Sequence, residues 1–376
     1  MPRKRLRMPS SSDDIISAKR DILYRLVNAT PAFWYEWGNA ETQLLAKKLR
    51  AIAIEKPVYV TGLARAGTTI LLELVASHPE VASHRYKDFP FLPILYSWRR
   101  YLQAFEKQGM SFPQERSHRD GLYVTSDSPE AFEEILWMRF FPGRHDETKN
   151  QSLDAAASNP AFETFYNNHI RTLLLVENAS RYAAKGNYNI SRLPYLHKLF
   201  PDARFVIAVR HPLAHIASLM KQHAWFRDAQ QHNPALLRYM RQAGHFEFGL
   251  DRRPIRLQDD CAFETIRQAW KDGNELEGWA LYWDYIYGHL IRLLQENPAL
   301  AAHTRIITHE SLCREPEATI PNLFTHCDLS LTPDLLEKWK GKLQLPTYYK
   351  AEFTETERSL VQRITARTAS HFGYDF

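Results

Sequence analysis

Residues 58–75 read VYVTGLARAGTTILLELV: a short β-favouring run, a turn bracketed by Gly62 and Gly67, then an apolar stretch at helical spacing. The two glycines have the separation of the phosphate-binding loop G-x-x-x-x-G-K-[ST], yet Thr68 stands where that pattern has lysine. Glycines let the chain turn tightly enough to aim several amides at one anion, and a helix N-terminus favours negative charge. Thr68 and Thr69 add hydroxyl donors. In nucleoside triphosphatases the missing lysine bridges the β- and γ-phosphates, and the next hydroxyl binds magnesium. Here Arg65 puts a guanidinium inside the loop instead. A planar fork that is always charged holds one tetrahedral anion bidentately without a metal ion. The loop therefore suits an anionic group shorter than a triphosphate.

A second stretch, RFVIAVRHPLAHIASLM (204–220), sets Arg210 just past a buried strand and Ser218 eight residues later on a helix opened by Pro212. Eight residues are slightly over two helical turns, so Ser218 lies on nearly the face of Arg210, one layer deeper. Alone, Arg210 reads equally well as a structural ion-pair partner. Beside the first loop, two anion sites about one nucleotide apart explain both patterns.

Around these stretches, β-branched runs alternate with helices: VYVT, RYAA leading to Lys185, RFVIAV and TRIIT (304–308) as strands. That alternation predicts an α/β fold, a three-layer sandwich with a central parallel sheet flanked by helices. We expect an N-terminal helical extension over 1–55 and one domain over 56–376, with irregular insertions at about 89–160 and 222–272. At 376 residues and 44% hydrophobic content, the chain can bury a substantial core. A net charge of +5 concentrated only in the opening MPRKRLRM gives no nucleic-acid stripe. Cys261, Cys313 and Cys327 lie far apart, which predicts neither disulfides nor a metal site and points to a reducing, cytoplasmic setting. No apolar run reaches membrane-spanning length.

GLARAGTTILLELVASHPEV (62–81) and FPDARFVIAVRHPLAHIASLM (200–220) resemble the two phosphate motifs of the sulfotransferase family, enzymes that use 3′-phosphoadenosine 5′-phosphosulfate (PAPS). The loop is similar to the arginine-type branch, which includes tyrosylprotein and many bacterial carbohydrate sulfotransferases. Ala66 replaces that branch's usual serine, and His211 stands where Asp or Asn is common. KGNYNISRLPYLHKLFP, GWALYWDYI, RIITHESLCREPEATIPNLFTHCDL and the closing HFGYDF resemble later segments of the family in the right order.

The resemblance implies a P-loop-type fold and sulfuryl transfer from PAPS to an acceptor hydroxyl, carbohydrate or glycolipid, leaving PAP and needing no metal. It implies that Arg65, Ala66, Gly67, Thr68 and Thr69 hold the 5′ end, that Arg210 and Ser218 hold the 3′-phosphate, and that Lys185 stabilises the bridging oxygen. Transfer depends on positioning and on donors aimed at growing charge. The family's arginine branch carries a glutamate base shortly after the first helix, but ASHRYKDFPF (82–91) has none. Asp88 and His84 are the candidates, with His118 a third. Tyr86, Trp98, Trp137 and Trp225 are candidate sugar platforms, and Arg119, Arg139, Arg144 and His145 candidate contacts for acidic groups. In DSPEAFEE (127–134), Ser128 reads as a helix cap, its neighbouring carboxylates as dipole partners or sugar contacts. The competing readings are a P-loop kinase or nucleotide hydrolase, disfavoured by Thr68, and a non-catalytic nucleotide-binding protein of the same fold.

Overall fold

The computed structural model describes residues 18–105, 114–115, 123–343 and 353–376. Five parallel strands form the central sheet: β1 (Val58–Thr61), β2 (Val81–Ala82), β3 (Arg181–Lys185), β4 (Arg204–Val209) and β5 (Thr304–Thr308). Their order is β2-β3-β1-β4-β5. The first strand is therefore central, and the loop that follows it opens between its neighbours. Register places Val60 opposite Lys185 on one side and Val206 on the other.

Every residue of β1 and β3 is buried, as a parallel sheet covered on both faces requires. Alternation divides the strand residues between two cores. Val58 and Val60 pack with Leu71, Leu72 and Val75 of the helix Thr68–Ala76 and with Ile320 and Phe324 of the helix Pro316–His326. Tyr59 faces the opposite layer, an aromatic core built with Tyr166 of the helix Pro160–Glu177 and Trp283 and Tyr287 of the helix Glu275–Glu296. The three-layer α/β fold expected from the strand–helix alternation is the one the chain adopts.

The elaborations are more regular than their composition suggests. The helix Pro212–His232 runs well beyond the residues that read as helical, and Pro234–Ala243 and Asp260–Lys271 follow it. The latter two begin at side-chain caps, Asn233 accepting from the Leu236 amide at 3.1 Å and Asp259 from the Ala262 amide at 3.0 Å. Each buries a narrow stripe, Leu236–Met240–Ala243 and Phe263–Ile266–Ala269, too sparse to stand out among polar neighbours. Ser128 does not cap a helix. It accepts the Thr125 amide at 3.0 Å in a tight turn, and the helix Glu133–Phe140 starts later, at Phe132. His118 and Arg119 lie outside the described residues. No described helix is long and apolar enough to cross a membrane.

One buried arginine ties the lower edge of the sheet together. Arg181, at the start of β3, donates to the carbonyls of Glu55 (3.1 Å), Lys56 (2.6 Å), Cys327 (2.7 Å) and Asp328 (2.7 Å). Four backbone acceptors from two segments, the Cys327 carbonyl among them buried, are joined by this fork. Arg181→Met should therefore lower the unfolding free energy by about 3 kcal/mol, the cost of stranding such groups. Urea unfolding of the two proteins checks this, and a change below about 1 kcal/mol would refute it.

Candidate active site

The loop after β1 holds three residues in the left-handed region: Gly62 at φ 136°, Arg65 at 72° and Gly67 at 103°. Gly62 has no room for a side chain, because a Cβ there would lie 2.4 Å from the Ala208 carbonyl of β4. Gly67 caps the helix Thr68–Ala76 without a side-chain hydrogen bond, so the first-turn amides of Thr68 and Thr69 have no intrahelical acceptor. The Ala66 amide is used within the loop, on the Leu63 carbonyl at 3.2 Å.

The loop backbone is held from beneath by the helix Glu275–Glu296. Trp283 donates its indole N–H to His215 Nδ1 at 3.2 Å, and His215 Nε2 meets the Ala64 carbonyl at 2.8 Å. The first contact makes Nδ1 the acceptor, so Nε2 carries the proton and donates to Ala64. Tyr287 completes the support: its hydroxyl donates to Ala208 O at 2.9 Å and accepts from the Leu63 amide at 3.3 Å. Trp283 and Tyr287 are four residues apart on one helix face, the spacing by which this support could have been found.

Arg65, Arg210 and Ser218 come together above this loop. Arg65 Nε donates to Ser218 Oγ at 3.2 Å, and Arg210 Nη1 donates to the Arg65 carbonyl at 3.4 Å. The residues expected to form two anion places a nucleotide apart are thus in direct contact through Arg65. On the other side of the loop, Lys185 Nζ donates to Thr69 Oγ1 at 3.0 Å. The Glu130 carboxylate lies 3.5 Å from the same ammonium. Glu130 is in turn oriented by the Ala131 amide at 2.7 Å and by the Tyr86 hydroxyl. Asn187, just past β3, takes the Thr68 hydroxyl at 3.4 Å and donates to Glu247 at 2.8 Å. His309 presses against Gly67, its buried Nδ1 without a hydrogen-bond partner among the described residues.

Asp88 and His84 are not drawn into this group. Asp88 is fully buried and clamped by Arg99, with Nη2 at 2.9 Å, while it accepts the Arg85 amide at 2.8 Å. His84 shares a proton with His169, Nε2 to Nε2 at 2.8 Å. Burial and the nearby Arg99 push the His84 imidazole down to about 3. What His84 gives the site is its carbonyl, which receives the Glu130 amide at 2.9 Å. Glu130 was visible in the sequence only as one carboxylate among several in DSPEAFEE, and its partner Lys185 is far away along the chain. His211 packs on Tyr374 and Phe376 of the closing segment, with ring centroids at 5.2 and 5.4 Å. Trp137 is fully buried beneath Arg192, a core position rather than a platform. Among the described residues no His, Cys, Asp and Glu cluster is arranged to hold a metal ion.

A family model described as the sulfotransferase family matches residues 57–252 of the chain. Among solved structures, sulfotransferase STF9 from Mycobacterium avium superposes with a TM-score of 0.50 at 16% identity, covering 89% of this chain and 82% of that one. Sulfotransferase STF1 from Mycobacterium tuberculosis H37Rv shares 16% identity across 95% of this chain and 94% of its own, with a TM-score of 0.46. At these identities the likeness concerns the fold. No curated protein shows a significant match to the chain.

The histidines around the loop make a testable contribution to stability. Burial holds His215 down to about 3, and burial together with Arg210 and Arg65 holds His309 down to about 4. His169 is likewise lowered by burial and by His84. In the unfolded chain each titrates near its ordinary value of 6.5, so unfolding in acid takes up protons. Their stabilisation is complete above that value and is lost as pH falls toward the folded values. Unfolding free energy should drop by about 1.4 kcal/mol per pH unit for each such histidine between roughly pH 6 and 4. Urea titrations at stepped pH measure the slope, and a flat profile over that window contradicts the assignment.

Proposed function

The chain belongs to the sulfotransferase family, and from that membership we propose that it transfers the sulfuryl group of PAPS to a hydroxyl of a carbohydrate or glycolipid acceptor. The observation that carries this reading is the placement of Arg65, Arg210 and Ser218 on one flank of the loop and Lys185, Thr69 and Glu130 on the other. The donor set suits a nucleotide with two separated anionic groups: forked cations, hydroxyls and helix amides, with the unsatisfied His309 Nδ1 beside Gly67.

PAPS supplies, when bound, a sulfuryl group already carried on a phosphate leaving group. In our reading Arg210 and Ser218 hold the 3′-phosphate, and Arg65 turns from Ser218 toward the 5′ side. Lys185, steadied by Thr69, sets a positive charge where negative charge grows on the bridging oxygen. Glu130 takes the proton of the acceptor hydroxyl. We assign this role to Glu130 rather than Asp88 or His84 because geometry comes first for a general base. The polar atoms of Asp88 and His84 are engaged by Arg99 and His169, whereas Glu130 lies beside Lys185. Tyr86, bonded to Glu130, is the aromatic best placed to meet a sugar ring. Trp98 instead donates to the Lys87 carbonyl at 2.7 Å, and Trp225 packs on Phe226. The free cysteines Cys261, Cys313 and Cys327 support a cytoplasmic setting.

Calorimetric titration tests the cofactor assignment. PAP should bind without magnesium, and Arg65→Ala and Arg210→Ala should each weaken it about 30-fold, near 2 kcal/mol, as losing a charged hydrogen-bond donor does. Unchanged affinity in both variants would remove the site. In sulfuryl-transfer assays, Glu130→Gln should cut kcat at least about 100-fold while PAP affinity stays level. Full activity in that variant would return the search for the base to its starting point.

A further inference from the structure

Arg144 stands just after the helix Glu133–Phe140, its amide bonded to the Phe141 carbonyl at 3.2 Å. Its guanidinium is half-buried and lies near Arg192, and burial and that second cation press it down to about 10 against the smaller opposing pull of Glu134. The natural counter-ion, Glu134, is already committed, one oxygen to His145 Nε2 at 2.9 Å and the other to Arg192 Nη2 at 2.5 Å. Among the described residues no carboxylate comes within ion-pair distance of Arg144. A half-buried cation in that position is costly unless an anion joins it.

Arg144 lines an open cleft of about 560 Å³ with Arg253, Arg267, His145 and Phe246. Asp146 and Glu147 also line it, but each has its own cation: Asp146 lies 3.4 Å from Lys149, and Glu147 lies 3.7 Å from Arg267. Positive charge is left in excess. Hydrogen bonds and a ring contact link the cleft to the loop. Phe246 donates its amide to the Tyr188 hydroxyl at 2.9 Å, and the Tyr188 ring lies 4.5 Å from that of His145. Tyr188 follows Lys185 by three residues, so their Cα atoms are at most about 11 Å apart. Glu247, the neighbour of Phe246, bonds Asn187, which holds the Thr68 hydroxyl of the anion loop.

We propose that this cleft docks an acidic group of the acceptor. The compound sulfated is then an anion, carrying its reactive hydroxyl and a carboxylate, phosphate or sulfate within the span of a small glycan. The proposal rests on the sulfuryl-transfer reading and narrows its substrate class. Arg144 supplies the unshared charge and Arg253 a second one, Phe246 gives an apolar wall, and Arg267, shared with Glu147 and Glu264, sits at the rim.

The test uses the full chain, labelled PAPS and matched acceptors that differ in one acidic group: methyl glucoside against methyl glucuronide, and glucose against glucose phosphate. The acidic member of at least one pair should be turned over with kcat/KM at least about tenfold higher, and the two pairs separate a carboxylate from a phosphate preference. Arg144→Gln should raise KM for that acceptor about tenfold or more, leaving its kcat, the neutral partner and PAP affinity level. Arg267→Gln, at an exposed position, should raise the same KM about threefold and guards against misfolding of the first variant. Neutral acceptors turned over as well as acidic ones, no turnover of any acidic compound, or equal losses on both classes would each overturn the proposal. Loss of PAP binding in the unaltered protein would instead overturn the sulfuryl-transfer reading.

Discussion

The hydrogen bond from His215 to the Ala64 carbonyl is the contact on which the site depends. A loop with Gly62, Arg65 and Gly67 at positive φ is unfavourable on its own, by on the order of 1–2 kcal/mol at the non-glycine position. It persists only where its surroundings leave no alternative. Here Ala64 O is taken by His215, the Leu63 amide by Tyr287, and Gly62 has only the space beside Ala208. With the loop backbone fastened from the core side, Gly67 and the amides after it face outward. The aromatic helix Glu275–Glu296 thus helps fix the shape of the loop, through Trp283 on His215 and Tyr287 on Leu63 and Ala208.

Charge is arranged to the same end. His215 and His309 stay neutral near the loop because burial and the arginines both oppose a further positive charge. The cations beside the loop are groups that hydrogen-bond strongly to oxyanions, Arg65 and Arg210 on one flank and Lys185 on the other. Lys185 is itself balanced by Glu130 at 3.5 Å, and in the reaction we propose the pair would bring a cation to the leaving oxygen and a carboxylate to the acceptor hydroxyl in one place. The rigid sheet registers these groups. Val60 pairs with Lys185, and β4 brings Arg210 alongside the loop.

The parts legible in the sequence are those written in consecutive residues. VYVTGLARAGTT and RFVIAVR carry strand, turn and helix start in one reading, and the fold follows from their alternation. The base we propose was not legible, because the ion pair that engages Asp88 comes from Arg99, eleven residues on, and the neighbour of Glu130 is Lys185, on a distant strand. Spacing along a chain does not show which carboxylate a neighbouring arginine has already claimed. Arg65 shows the same limit: its place in the loop was plain, but its reach to Ser218 depends on side-chain packing. The helices Pro234–Ala243 and Asp260–Lys271 escaped notice because three buried residues each suffice to seat them on a core that others supply.

In the function we propose, the Arg65 guanidinium moves when the nucleotide binds. A crystal structure of the PAP complex measures this directly. The account expects the 3′-phosphate against Arg210 and Ser218, the Arg65 guanidinium released from Ser218 toward the 5′-phosphate, and the Ala64 carbonyl still on His215. A complex in which Arg65 keeps its bond to Ser218 and the phosphates lie away from Arg210 would contradict it.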